Sequence, residues 1–353
     1  MTSPSLRAAR LGAAVLLTLP VLLAGPTSAA EAAACDPLNH VAGDINSDGV
    51  SDVVTGVPRI DNKQGGVDVL LSNGTRSFIT AVSLGLPASA PGDYFGTAVT
   101  TADLNLDGCA DLVIGAPERN GTGAIYLAFG TSSGTLVNAT IRDAPTGARG
   151  FGSSLVVLAP EEWNGTSWVR THQRVVVGAP QSDVYSHPFA GAIYVFHSAA
   201  GDTALTNVAQ LTQASLGVPD VPEDGEAFGT TLAGEGRTIV VGTPGESVGT
   251  APDAGSVTLL SSTAADPSTF TGKRITQDTA GVPGYAEEYD QFGGAVALRD
   301  GHLVIAAPHR ERRRHHGRRR GATRDVERRH EGLHPWPQPA PGLRRHSWLK
   351  RAQ

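Results

Sequence analysis

The chain alternates short apolar runs with breaks rich in glycine, proline and acid, and the runs recur at a fixed interval. Five of them end in proline: Val53 to Pro58, Leu112 to Pro117, Val175 to Pro180, Ile239 to Pro244 and Leu303 to Pro308, with the prolines 59, 63, 64 and 64 residues apart. A Phe-Gly pair precedes four of them, at Phe95-Gly96, Phe151-Gly152, Phe228-Gly229 and Phe292-Gly293. A Gly-x-apolar-x-apolar stretch follows four, starting at Gly66, Gly123, Gly191 and Gly255. Each unit therefore predicts a strand, a turn, a strand buried on both faces, a loop, a third strand, and a weaker fourth such as Leu136 to Ile141. A four-stranded unit cannot bury both faces alone, so neighbouring units must stack. Arranged radially, they make an all-β β-propeller.

Composition agrees with many short strands and tight turns, with 43 Gly, 23 Pro and 5% aromatic residues, and no long stretch has helical periodicity. Length alone, at 353 residues, leaves one large domain or two ordinary ones. Arg7 and Arg10, then Leu11 to Ala24, then Ser28-Ala29-Ala30 read as an export signal over residues 1–30, so the mature chain is expected to start near Glu31 and to be secreted. Pro20 breaks that run, which falls short of the roughly 20 residues a spanning helix needs. No stable membrane span is expected after cleavage. Cys35 and Cys109 are an even pair in an exported chain, which favours a disulfide whose geometry the sequence does not show.

Charge divides the chain. Residues 1–308 carry a net −16 and residues 309–353 a net +10, with Arg outnumbering Lys 25 to 3 over the whole chain. The repeat stops just after Pro308, mid-unit, and the segment 309–353 is expected to be a disordered Arg/His/Pro-rich tail or the product of a lost reading frame. A nucleic-acid-binding arm is the competing reading of its basic run and is not adopted.

Two units carry Asp-x-Asn-x-Asp-Gly-x-x-Asp between their first two strands. The residues are Asp44, Asn46, Asp48 and Asp52 around Gly49, and Asp103, Asn105, Asp107 and Asp111 around Gly108. Alternate side chains of so tight a loop can point inward, and the carbonyls of Val50 and Cys109 add an oxygen each. Ca2+ is the cation this suits, since it takes about six to eight oxygen ligands. Position 12 of an EF-hand would be Thr55 or Ile114 rather than Glu, so neither loop is one. A metal-free Asx turn is the plainer alternative; two copies in register with the repeat argue against it. The other units replace the loop with Gly234 to Arg237, Arg299 to His302, and an insertion from Pro160 to Gln173.

The Phe-Gly and Gly-Ala-Pro marks with the acidic loop between them resemble the FG-GAP repeat of the integrin α-subunit head. That repeat also occurs in secreted bacterial proteins and beside the catalytic domain of glycosylphosphatidylinositol-specific phospholipase D. The resemblance covers residues 41–308. It implies a seven-bladed β-propeller with calcium loops on one face, of which about five units are recognisable here, the last incomplete. It also implies adhesion or binding of an extracellular protein or glycan without catalysis. The alternative it implies is an accessory module of a secreted hydrolase of the phospholipase D kind. Two catalytic patterns fail on their surroundings. Gly130-Thr131-Ser132-Ser133-Gly134 matches a nucleophile elbow but has no helix after it, and His330-Glu331-Gly332-Leu333-His334 has Gly332 and Pro335 where a zinc-protease helix must run. No catalytic residue is assigned. His40, His172, His187, His197 and His302 show no ligand spacing.

Overall fold

The computed structural model describes residues 35, 41–163, 166–262 and 269–309. The export signal, His40, the His330 to His334 pattern and the tail beyond His309 lie outside the described residues. Among the described residues, five antiparallel sheets follow one another along the chain, with one further two-stranded hairpin inserted in the third. The first is β1 (Val53–Gly56), β2 (Val67–Leu70) and β3 (Arg76–Ile79). The second is β4 (Val99–Ala102), β5 (Asp111–Ala116), β6 (Ala124–Phe129) and β7 (Val137–Asp143). The third starts with β8 (Ser154–Leu158), and the insertion then folds as its own hairpin, β9 (Glu161–Trp163) against β10 (Trp168–Arg170). The sheet continues with β11 (His172–Ala179), β12 (Ala192–Ala199) and β13 (Thr206–Leu211). The fourth is β14 (Thr231–Glu235), β15 (Thr238–Thr243), β16 (Ser256–Ser262) and β17 (Phe270–Ile275), and the fifth is β18 (Ala295–Arg299) with β19 (His302–Ala306). Helical structure among the described residues is limited to three-residue turns.

Four apolar clusters hold the sheets together, each between two consecutive sheets. The second strand of a middle sheet therefore has cover on both faces, and all six residues of β5 are buried. This cover fails at the two ends of the series. Val53 of β1 is 58% exposed and Val304 of β19 is 65% exposed, so these two runs are covered on one face only, contrary to the uniform burial their sequences predict. The marks of the first unit also shift by one residue. Val54 faces Val69 as Val113 faces Leu127, and the glycine paired with the next Phe-Gly is Gly65, not Gly66. The reason is conformational: Gly65 has φ +85°, and a Cβ there would lie 2.0 Å from the Phe95 carbonyl oxygen.

The three recurring marks are parts of one interlock. The Phe151 N–H donates to the Thr122 carbonyl of the preceding sheet at 3.0 Å, and its ring is fully buried, edge-on to Tyr194 at 5.6 Å between centroids. The Gly152 N–H donates to the Gly178 carbonyl of its own sheet at 3.0 Å. Its own carbonyl packs against Gly115 of the sheet before, where an added Cβ would stand 2.0 Å from the oxygen. Gly56, Gly178 and Gly242 meet the next sheet in the same way, at 1.9, 2.2 and 2.2 Å. The fifth sheet has Ala306 at this position.

Beside the interlock in the second, third and fourth sheets, the residue two before the Phe stands beside the residue two after the proline of the same unit. In the second sheet these are Asp93 and Arg119, an ion pair at 3.9 Å. In the third, the Arg149 N–H donates to Ser182 Oγ at 3.0 Å. In the fourth they are two acids, Glu226 and Glu246, both buried. Arg274 Nη2 reaches Glu246 Oε1 at 2.5 Å and its Nε stands 3.0 Å from Asp220, while Gln213 Nε2 donates to Glu246 Oε2 at 2.9 Å. Burial first, then repulsion from Glu226 and Asp220, pushes Glu246 up to about 9 against the pull of Arg274.

Three outcomes are expected. Gly115→Ala should cost about 1–3 kcal/mol in urea unfolding, the range of an overpacked core, because backbone must move to admit the methyl. Ala306→Gly, which meets no further sheet among the described residues, should cost no more than about 1 kcal/mol. Glu246 keeps its proton in the fold to higher pH than in the unfolded chain, so the folded state binds more protons and stability falls as pH rises from 4.5 towards about 9. Glu246→Gln should flatten that fall, read as thermal midpoints at a series of pH values across the window.

Candidate metal loops

The first carboxylate loop leads into β1 and the second joins β4 to β5, both at the end of the sheets opposite the Phe-Gly turns. They share one backbone. Ser47 and Leu106 both have φ 57°, and Gly49 and Gly108 have φ 85° and 89°. A side chain rarely adopts the latter value, which is why glycine stands there in both copies.

In the first loop, Asp44 Oδ1 and Oδ2 accept the N–H groups of Asp48 at 3.1 Å and Gly49 at 2.8 Å. Asp48 Oδ1 accepts the Val50 N–H at 3.0 Å, and its Oδ2 accepts Asn46 Nδ2 at 3.0 Å and the Ser72 hydroxyl. The Ser72 hydroxyl, as the leading cause, holds the Asp48 carboxyl below the usual range. Asp52 spans the base: its oxygens accept the N–H groups of Ile45 at 2.7 Å and Ser72 at 2.8 Å. The second loop repeats the plan. Gly108 N–H donates to Asp103 Oδ2 at 3.1 Å, Asp107 Oδ1 accepts the Cys109 N–H at 2.8 Å, and Asn105 Nδ2 donates to Asp107 Oδ2 at 2.8 Å. Asp111 accepts the N–H groups of Leu104 at 2.7 Å and Gly130 at 2.8 Å.

The last Asp of the pattern thus has a structural task that its sequence does not announce. It ties the start of the loop to the end of the third strand, a residue about 20 positions downstream. Asp111 is fully buried in this role, and burial, with repulsion from Asp107 and Asp103, raises its carboxyl to about 7 against the two N–H donors. A cation in the loop would act in the opposite direction.

The donor set fits a hard cation. Every side-chain group offered is a carboxylate or amide, each carboxylate oxygen that accepts one N–H keeps a second lone pair, and Asp44, Asp48, Asp52, Asp107 and Asp111 form no ion pair among the described residues. No three acid, His or Cys side chains among the described residues already converge on one point. The predicted cysteine pair is joined: Cys35 and Cys109 form a disulfide with Cα atoms 5.0 Å apart.

The fold also brings together what sequence spacing did not. His172 on β11 and His197 on β12 lie with ring centroids 4.3 Å apart, and His187 Nδ1 meets Asp224 at 2.9 Å. The only sequence signal for the first pair is the pairing of β11 with β12. Ser132 sits in the turn between β6 and β7, with a strand after it. At the Phe-Gly end, the loops expose Tyr185, Phe189, Tyr285 and Tyr289, Tyr185 to 85%. No helix among the described residues is long and apolar enough to cross a membrane.

Glycine at the sixth loop position is the simplest check of the shared backbone. Gly108→Ala places a side chain at φ 89°, and a loss of about 1–3 kcal/mol is expected in denaturant unfolding.

Comparison with known proteins identifies the repeat. The FG-GAP repeat family matches residues 95–127. The chain is 32% identical over 170 residues to integrin alpha-11 of Homo sapiens, covering 46% of this chain and 13% of that protein. It is 25% identical over 229 residues to integrin alpha pat-2 of Caenorhabditis elegans, covering 62% and 18%. Phosphatidylinositol-glycan-specific phospholipase D of Bos taurus is 34% identical over 109 residues, covering 26% and 13%. The chain spans less than a fifth of the length of these relatives. Five stacked sheets, and interlocks built from the very residues that define the repeat, show an all-β propeller of the FG-GAP type in a chain that is similar, over part of its length, to integrin α-subunits.

Proposed function

We propose that this protein is a secreted, calcium-binding, non-catalytic propeller that binds an extracellular protein or glycan, in adhesion or a related recognition task. The observation that carries the reading is the pair of loops with one backbone and the same oxygen donors. Asp44, Asn46, Asp48, the Val50 carbonyl and Asp52 would hold one Ca2+, and Asp103, Asn105, Asp107, the Cys109 carbonyl and Asp111 a second. The ions would neutralise the crowded carboxylates and stiffen one end of the sheets. The opposite end would face the partner, and its exposed Tyr185, Phe189, Tyr285 and Tyr289 are side chains suited to that contact. The Cys35–Cys109 bridge supports an oxidising compartment.

The match to phospholipase D over 109 residues supports one second reading, an accessory module of a secreted hydrolase. Hydrolysis of a glycosylphosphatidylinositol or glycan substrate, abolished by a point change within residues 35–308, would favour it over the binding module.

Thermal melting with CaCl2 and with chelator tests the metal reading. A ligand that binds only the folded state at 100 times its Kd adds about 2.7 kcal/mol, so the midpoint should rise by several degrees with calcium. Equal midpoints would refute calcium binding. Asp48→Asn combined with Asp107→Asn should abolish the rise.

A further inference from the structure

The two carboxylate loops share a backbone but not a setting. In the first loop the seventh position is Val50, exposed to 56%, with no cross-link; in the second it is Cys109, 4% exposed and covalently bonded to Cys35. The first acids match, Asp44 and Asp103 being 7% and 3% exposed, but the last differ: Asp111 is 0% exposed while Asp52 is half-buried. Among the described residues the bridge also touches the first loop through one hydrogen bond, from the Ser47 hydroxyl to Cys35 Sγ at 3.3 Å.

We propose that the Cys35–Cys109 disulfide is a positioning device for the second loop, making the two cation sites unequal and the tighter one dependent on redox state. The inference rests on the calcium reading above. Cys109 is the residue whose carbonyl would ligate the ion and whose N–H orients Asp107 at 2.8 Å, so fixing its Cα also fixes two elements of the donor set. The bridge closes a sequence separation of 74 residues, a constraint no local hydrogen bond supplies. Ordering that the bridge imposes beforehand need not be imposed by the ion, and affinity rises accordingly. The first loop loses one hydrogen bond without the bridge and keeps its own N–H scaffold. Reduction is the reverse process: a dithiol such as dithiothreitol delivers two electrons and two protons, the Sγ–Sγ bond breaks, two thiols form, and the reductant becomes its cyclic disulfide. The second loop then loses its covalent anchor at Cys109 and keeps the bonds from the Ser198 hydroxyl to the Leu104 carbonyl and from the Gly201 N–H to the Asn105 carbonyl.

Calorimetric titration of the full chain with CaCl2 is the test, with single Asp48→Asn and Asp107→Asn variants assigning the sites. The wild type should show two classes, the tighter removed by Asp107→Asn. Replacing both cysteines by alanine should weaken that class about tenfold or more, the range for loss of a ligand's supporting partner, and leave the weaker class unchanged. A purely structural bridge would lower the melting temperature and leave both classes as they were. Linkage supplies a second readout that does not need the variant to fold: if the bridge favours calcium, calcium must favour the bridge. Saturating CaCl2 should therefore shift the wild-type reduction equilibrium in dithiothreitol buffers towards the disulfide. Unchanged classes in the folded double variant, equal weakening of both, or a reduction equilibrium indifferent to calcium would each overturn the proposal. No calcium binding to the wild type would sink the calcium reading and this inference with it, whereas binding without the bridge dependence would sink this inference alone.

Discussion

Backbone against backbone is the contact on which the rest of the structure depends. At each of the four boundaries between consecutive sheets, a glycine in the second strand of one sheet lies against the carbonyl of the Phe-Gly glycine in the next. No side chain fits in that space. The approach lets Phe95, Phe151 and Phe228 sink completely into the apolar layer between sheets, and it places the Phe amide where it can bond the preceding loop. Steric exclusion thus sets the spacing, and hydrophobic burial supplies most of the driving force.

The interlock accounts for the division of labour between the two ends of the sheets. The Phe-Gly end is held by backbone bonds and buried rings, so the loops that leave it can vary in length and composition without disturbing the stack. The Glu226–Glu246 pair occupies the place that Asp93 and Arg119 fill with opposite charges. Position in the repeat is therefore constrained more tightly than chemistry. The other end is joined through its loops: the Gly201 N–H donates to the Asn105 carbonyl at 2.7 Å, and Glu235 accepts the N–H groups of Asp300 at 3.0 Å and Gly301 at 2.9 Å. The loops that lead into the central strands are closed by Asp52 and Asp111 in two units and by short turns or a hairpin insertion in the others.

Much of this was legible in the residues alone. Strict proline spacing, the Phe-Gly pairs and the alternation of the third strand specify an all-β stack of repeated units, because each mark meets a local steric or burial demand. The nine-residue loops were legible for the same reason: Gly49 and Gly108 stand where φ is positive, and the acids are neighbours in sequence. The one-residue shift at Gly65 was not, because two adjacent glycines look alike until one of them meets Phe95.

What the sequence by itself determined is the unit: its strands, its turn glycines and its local oxygen donors, all set by interactions within a few residues. Only the tertiary structure decided which faces go uncovered, since Val53 and Leu112 hold the same place in apolar runs and only Leu112 is covered by a neighbouring sheet. It also decided that Asp111 bonds Gly130, that His172 meets His197, and that Cys35 comes within bonding reach of Cys109. Each of these joins residues far apart in the chain, and their meeting depends on strand register and sheet stacking, which no local pattern encodes.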